Sequence, residues 1–467
     1  MPACTLDSLD SAGSCPTKEL PNAFDGNELE LLRGYTRIGG DLPIPYDALD
    51  LSPLACLEVV DGELTVENGS SLTSFDGLEG LRKVGSLYLS DLPQLASTRG
   101  LSGVREIEGG VEMWNLPKLR EIEAPTELDV LGGSITAIGL SGLEHWDAPI
   151  GPTEITGSIQ LADIAPTAVI DAFAEVERVT EWISVGADYM PSPPAGARVH
   201  LPALREVGAI TLFEVQPEVV ASLSALVEID HLHIARYGGS DLTGLSGVQG
   251  MVSLQISQAP SLRSLAGLDG LRSLTGLTLI DAPMLTSLDG LALQTLPDYL
   301  DDEDDVYSSP PGIYIAQCPA LADVSALASI TSDHLDGLGL SDLPALTEVP
   351  SWPALRRLGR VELSNTGITD LDGFAGVETL KFSLLTDGVF EIYENFELTL
   401  TDNPVLADIS GLTASATSAG SWTDIVVARN PMLPSCSVEA LRTALGAIGR
   451  TDGTYDVSDN DDTTVCE

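Results

Sequence analysis

A nine-residue unit recurs along the chain, as Leu87-Tyr-Leu-Ser-Asp-Leu-Pro-Gln-Leu95, Val111-Glu-Met-Trp-Asn-Leu-Pro-Lys-Leu119, Leu254-Gln-Ile-Ser-Gln-Ala-Pro-Ser-Leu262 and Leu277-Thr-Leu-Ile-Asp-Ala-Pro-Met-Leu285. An apolar-x-apolar strand runs into a three-residue corner, followed by Pro, any residue and Leu. Further copies span Ile313 to Leu321, Leu338 to Leu346, Leu398 to Leu406 and Ile425 to Leu433. Between them lies a second half-unit, such as Leu72-Thr-Ser-Phe-Asp-Gly-Leu-Glu-Gly-Leu-Arg-Lys-Val84, whose leucine spacing points side chains inward around the rest of a coil. Strands start at Leu64, Leu87, Val111, Ile135, Ile159, Ile183, Ile210, Leu232, Leu254, Leu277, Ile313, Leu338, Val361, Leu398 and Ile425, advancing by 22 to 27 residues except for steps of 36 and 37. No coil of this size buries its leucine ridge alone, so coils must stack, each giving one short strand to a parallel sheet. The expected fold is a β-rich solenoid of about 15 coils with one long parallel sheet.

Pro after the corner is tolerated because its missing N–H falls outside the ladder and its fixed φ turns the chain. Asn in Asn403-Pro404 and Asn430-Pro431 can bond neighbouring backbone in a turn. The two long steps are insertions near 296–311 and 381–396, both expected as surface loops. From about Ile135 to Gln216 the period persists without the Pro-x-Leu signature. Residues 1–60 form an irregular N-terminal cap, 61–434 the solenoid, and 435–467 a C-terminal cap. That last cap has a helix over Val438 to Ile448 by periodicity and a last strand at Tyr455-Asp-Val457.

The six cysteines cluster at the ends, where a solenoid's core must be closed: Cys4, Cys15 and Cys56 at one, Cys436 and Cys466 at the other, with Cys318 alone inside a repeat. None forms a C-x-x-C pair, which leaves zinc and redox motifs unsupported. A Cys436–Cys466 disulfide is expected, with one more among Cys4, Cys15 and Cys56, implying an oxidising compartment. Cys318 occupies a position that other coils fill with Leu, Ala or Asn, which reads as a buried free thiol.

The unit, with its Ser-Leu-x-Gly-Leu-x-x-Leu half and Leu-x-Leu strand, resembles the receptor L-domain type of leucine-rich repeat over about Ala55 to Glu467. The closing stretches Asn430-Pro-Met-Leu-Pro-Ser-Cys436 and Asn460-Asp-Asp-Thr-Thr-Val-Cys466 look like those of secreted or lipoprotein-type members from myxobacteria and relatives. The resemblance implies a right-handed β-helix outside the cytoplasm, at the cell surface or secreted. In receptor members it implies ligand binding on the sheet face, and it brings no catalytic residues. The chain lacks the receptors' cysteine-rich modules, so no particular ligand carries over.

Of 467 residues, 70 are Asp or Glu and only 22 Lys or Arg, a formal net charge of −48. Nucleic acid and anionic membrane are therefore disfavoured partners. Mean hydropathy of +0.16 supports a folded core. No apolar run approaches the roughly 18 residues of a membrane span, so no transmembrane segment is expected. Stacked at about 4.8 Å per coil, the rod would carry about one net charge per 1.5 Å, comparable to duplex DNA. Three readings of this acidity compete: adaptation to a salty medium, a calcium-stabilised surface, or a basic partner.

No motif for hydrolytic, phosphoryl or zinc-peptidase chemistry occurs, and close carboxylate pairs arise by chance among so many acids. The chain is expected not to be an enzyme. His231-Leu-His233 places two imidazoles on one strand face, short of the three or four ligands zinc needs. The run Asp301, Asp302, Glu303, Asp304, Asp305 could collect calcium but lacks the ligand spacing of an EF-hand loop. Alternation projects Tyr88, Glu112, Trp114, Phe213, His231, His233, Gln255, Thr278, Tyr314 and Glu362 from the sheet face. Aromatics among polar neighbours suit a protein or glycan ligand. A recognition module is the first expectation; a self-assembling surface or filament component, calcium-dependent in one version, is the second.

Overall fold

The computed structural model describes residues 15, 17–69, 71–123, 125, 128–186, 197–296, 312–380, 384–386, 389–391, 395–413, 421–445 and 455–463. It is a parallel-sheet β-solenoid of about 14 turns with little helix, divided into two compact units, Met1–Leu226 and Val227–Glu467.

In the first unit the strand starts stand in register: Leu64 beside Leu87, then Val111, Ile135, Ile159, Ile183 and Ile210. The ladder begins earlier than the first start read from the sequence, because Leu42 pairs with Leu64 and Glu19–Leu20 pairs with Arg37–Ile38. Three of the N-terminal cap's segments are thus solenoid strands. Where Pro-x-Leu is missing, His145–Trp146, Val169–Ile170 and Arg198–Val199 form a second, three-stranded parallel sheet. Trp146 packs edge-on to Phe173 there, ring centroids 5.2 Å apart. A short helix, Pro217–Ser222, closes the unit's last coil.

The second unit repeats the pattern from Leu232 through Leu254, Leu277, Ile313, Leu338, Val361 and Leu398 to Ile425, which pairs with Tyr455. The ladder stays in register across both long steps: Leu277 meets Ile313 and Val361 meets Leu398. The second insertion is more than a loop. Leu384–Thr386 pairs antiparallel with Val389–Glu391, and Asn395–Thr401 is already the next solenoid strand. The first, with the run Asp301 to Asp305, lies outside the described residues. A helix spans Ser435–Leu445, starting three residues before the expected Val438.

Inward positions are sealed in both units: Leu64, Ile159, Leu254, Leu277, Leu338 and Leu398 are fully buried. Each such side chain contributes roughly 1.5–3 kcal/mol by leaving water. The chain leaves many of the sheet's strands through a left-handed residue: Asn68, Asp91, Asn115, Asp163, Asp281, Asp342, Asn365 and Asp402 all hold φ between 51° and 58°, and Glu214, Arg236, Gln258, Gln317 and Arg429 take the same place on other coils. Asn and Asp tolerate this conformation best among side-chain-bearing residues, which explains their place before Leu-Pro and Ala-Pro. Neighbouring corners also bond one another: Asn115 Nδ2 donates to Asp91 Oδ1 at 2.6 Å and Asn365 Nδ2 to Asp342 Oδ1 at 2.8 Å.

Asn403 and Asn430 do bond neighbouring backbone, but from inside the core, where both are fully buried. Asn403 Nδ2 donates to the Leu363 carbonyl at 3.0 Å, Asn430 Nδ2 to that of Leu400 at 2.9 Å, and Asn460 Nδ2 to that of Val427 at 2.7 Å. Their Oδ1 atoms accept the N–H of Thr366, Asn403 and Asn430 in turn. The result is a polar ladder threaded through an apolar core. Cys318 is likewise fully buried and free, and burial pushes its thiol pKa up.

Close stacking of the half-units depends on glycine. Gly267 holds φ at +107°, and a Cβ there would sit 1.9 Å from the Leu242 carbonyl oxygen. Strain and collision add, so Gly267→Ala is expected to cost about 2–4 kcal/mol. A lowered urea midpoint with an unchanged m-value would show it; an unchanged midpoint would mean the coils can separate to admit a methyl group.

Candidate functional site

The outer side of the parallel sheet gathers most of the expected recognition residues. In the first unit Tyr88 stands beside Glu112, followed in register by Thr136, Gln160 and Ser184. One strand position further on, Ser90 stands beside Trp114. Trp114 Nε1 donates to Glu112 Oε2 at 3.1 Å, fixing an exposed carboxylate between a half-buried indole and a half-buried phenol. Along the adjoining column the residues are small: Ser86 on its strand, Gly110 at the start of the next, then Ser134 and Ser158, whose hydroxyls bond each other at 3.1 Å. Aromatic faces, one oriented carboxylate and neutral hydroxyl and amide groups meet over a floor low enough for another molecule to approach.

In the second unit His231 stands beside Ser253 and His233 beside Gln255, with His231 Nδ1 2.9 Å from Ser253 Oγ. Gln255 adjoins Thr278, which adjoins Tyr314, and Gly339 and Glu362 follow. The Tyr314 ring lies over Gly339, where a Cβ would sit 2.6 Å from ring atom Cδ1. Burial raises the phenol's pKa, an effect that Arg360 opposes. Arg360 pairs with Glu397 on the next strand. Alternation from Glu362 and Leu398 also assigns Arg360 and Glu397 to the outer side, so the same signal that found Tyr314 reaches them.

Two expected face residues are not available. Phe213 is only 5% exposed, and its backbone runs close against Gly186 of the preceding coil. Thr278 is 7% exposed, on a strand whose outer side is buried along most of its length. The histidine pair gathers no further metal-binding side chains, and no group of three His, Cys, Asp or Glu residues suited to a metal occurs among the described residues. Cys15 is bonded to Cys56, while Cys4 and Cys466 lie outside the described residues. Cys436 is itself disulfide-bonded.

The cations are largely committed within the solenoid. Arg37 with Asp61, Arg99 with Glu123, Arg120 with Glu144, Arg178 with Glu206, Arg356 with Glu378 and Arg429 with Asp402 each join neighbouring coils. Such exposed pairs contribute roughly 0–1 kcal/mol each and leave the excess of carboxylates in place. Arg429 also holds the Asp402 carboxyl below its ordinary range.

No family model matches the sequence, and no curated protein matches it. Among solved structures the chain is similar to TLR13 in its complex with ssRNA13, at 13% identity and a TM-score of 0.30. That match covers 91% of this chain and 64% of the other, so the chain spans less than two thirds of that protein. No helix among the described residues is long and apolar enough to cross a membrane.

Proposed function

We propose that the chain is a non-enzymatic recognition module working outside the cell, which takes a protein or glycan ligand on the outer side of its parallel sheet. The observation that carries this is the cluster of Tyr88, Glu112 and Trp114 in adjacent register, its carboxylate held outward by the indole N–H. Rigid strands hold these groups with little freedom left to lose on binding, which favours affinity. Tyr and Trp are also the side chains on which binding energy concentrates. The Cys15–Cys56 disulfide supports an oxidising compartment.

Arrays of oligosaccharides and of purified surface proteins, probed with the full chain, would identify a ligand. Trp114→Ala together with Glu112→Ala is expected to weaken its binding by tenfold or more, with a cooperative urea transition of unchanged m-value showing that the variant still folds. A ligand held equally well by that double variant would sink the reading. So would chemical conversion of the ligand on incubation, or a calcium-specific rise in mass by light scattering against sodium chloride at equal ionic strength.

A further inference from the structure

We propose that the N-terminal end of the first unit docks a basic, apolar segment of a partner protein, at a surface separate from the sheet face. Of the large apolar side chains exposed among the described residues, the three most exposed are Tyr46, Leu49 and Leu31, at 70%, 73% and 62%. All fall within one short stretch of the cap. The cause is local. In the 3₁₀ turn Leu29–Leu32, Leu29 and Leu32 point into the core and leave Leu31 outside. A second turn, closed by Ala48 N–H to the Pro45 carbonyl at 2.9 Å, carries Tyr46 and leads into Leu49.

Between these turns runs an open groove of about 450 Å³, whose apolar lining is Leu29, Pro45, Ala48, Leu49 and Pro53, with Leu31 and Tyr46 next to lining residues in the chain. Glu28, Glu30, Asp47 and Asp50 line it, and no Lys or Arg does. The nearby Arg33 guanidinium is already spent on Glu30, with contacts of 2.8 and 2.6 Å. Asp50 accepts from Ser52 N–H and Oγ, while Glu28 and Asp47 make no ion pair among the described residues.

An apolar floor inside a ring of carboxylates selects an occupant that is apolar and cationic. The chain's own first 14 residues carry Asp7 and Asp10 and neither Lys nor Arg, so charge opposes their binding here. A second copy brings a net charge of −48 to the same acidic surface and is opposed for the same reason.

The test is fluorescence anisotropy of a labelled twelve-residue peptide alternating Leu and Lys, against the full chain in 0.15 M sodium chloride, where the screening length is about 8 Å. A Ser–Lys peptide of equal charge measures attraction to the acidic surface at large. The Leu–Lys peptide is expected to bind at least tenfold tighter than the Ser–Lys one. Tyr46→Ser with Leu49→Ser should remove that difference, and Glu28→Gln with Asp47→Asn should weaken Leu–Lys binding about threefold. Val405→Ser with Met432→Ser, at exposed apolar positions of the other unit, should change nothing. All are surface positions, where such changes barely move stability. Equal affinity for the two peptides, or Leu–Lys binding unaltered in the Tyr46, Leu49 variant, overturns the proposal. So does a tenfold gain on deleting residues 2–14, which would assign the groove to the chain's own start. A mass that doubles without peptide and returns to one chain in the Tyr46, Leu49 variant would assign it to a second copy.

Discussion

Asn403→Ala lowers the unfolding free energy of the second unit by about 4 kcal/mol, and Asn403→Leu by about 3 kcal/mol. Asn403 Oδ1 accepts both the Thr366 N–H, at 3.0 Å, and the Thr366 hydroxyl, at 2.7 Å, and its Nδ2 donates to the Leu363 carbonyl and to Asn430 Oδ1. Truncation strands the Thr366 N–H and the Leu363 carbonyl in a core where neither reaches water, at about 1–3 kcal/mol each. Leucine recovers part of this by burying apolar surface, and it fits coils built for it, as at Leu343, which pairs with Thr366. Alanine recovers nothing and leaves a void. Urea denaturation of the two variants decides the matter. If Asn403→Leu matches or exceeds the parent, the ladder's hydrogen bonds are dispensable and the position needs only volume. If the order is parent, Leu, Ala, the asparagines hold the last coils together where leucine packing is reinforced least by neighbours.

That ladder also marks how far the fold was legible. Strand starts were readable because a ladder in register must repeat its inward side chains coil by coil, and Leu64 through Ile210 and Leu232 through Ile425 stand beside one another as the spacing implies. The sidedness of Asn403 and Asn430 was not. A polar residue beside Pro reads as a solvent-facing turn, and only the stacked asparagine of the next coil makes the inward position affordable. The N-terminal strands Glu19–Leu20, Arg37–Ile38 and Leu42–Ile44 escaped because two- and three-residue segments are too short to show alternation.

The outer side of the sheet divided in the same way. Alternation correctly set Tyr88, Glu112 and Trp114 on the outer side, since that depends only on the strand's own geometry. Whether a side chain stays open depends on what packs over it, and Phe213 is only 5% exposed although alternation sets it outward. The N-terminal groove was invisible for a further reason: one wall is the 3₁₀ turn Leu29–Leu32, a turn that recurs at Ser52–Leu54 in the next coil, and only its placement beside the separate turn at Pro45–Ala48 makes a groove.

Breaking the Cys15–Cys56 bond should have an effect of similar size, confined to one end. The bond spans a sequence separation of 41, and releasing a loop of that length returns about 4 kcal/mol of chain entropy to the unfolded state. The enclosed strands are short and their backbone hydrogen bonds few, so they are expected to open before the rest of the coils do. In Cys56→Ser, hydrogen exchange should therefore quicken by roughly a hundredfold or more at the amides of Gly39, Leu42 and Ile44, while protection around Leu254–Ile256 holds. Peptide-resolved alkylation gives a second readout: Cys318, buried and with its thiol pKa raised, should stay unmodified in the opened variant as in the parent. The groove residues from Asn27 to Pro53 all lie within the disulfide loop, so the Leu–Lys peptide should lose its advantage over the Ser–Lys peptide when the bond is absent. Retained protection at Leu42 and Ile44 together with retained peptide selectivity would mean that the leucine core of the first coils holds the end shut unaided, and that the disulfide only records the compartment in which the chain folded.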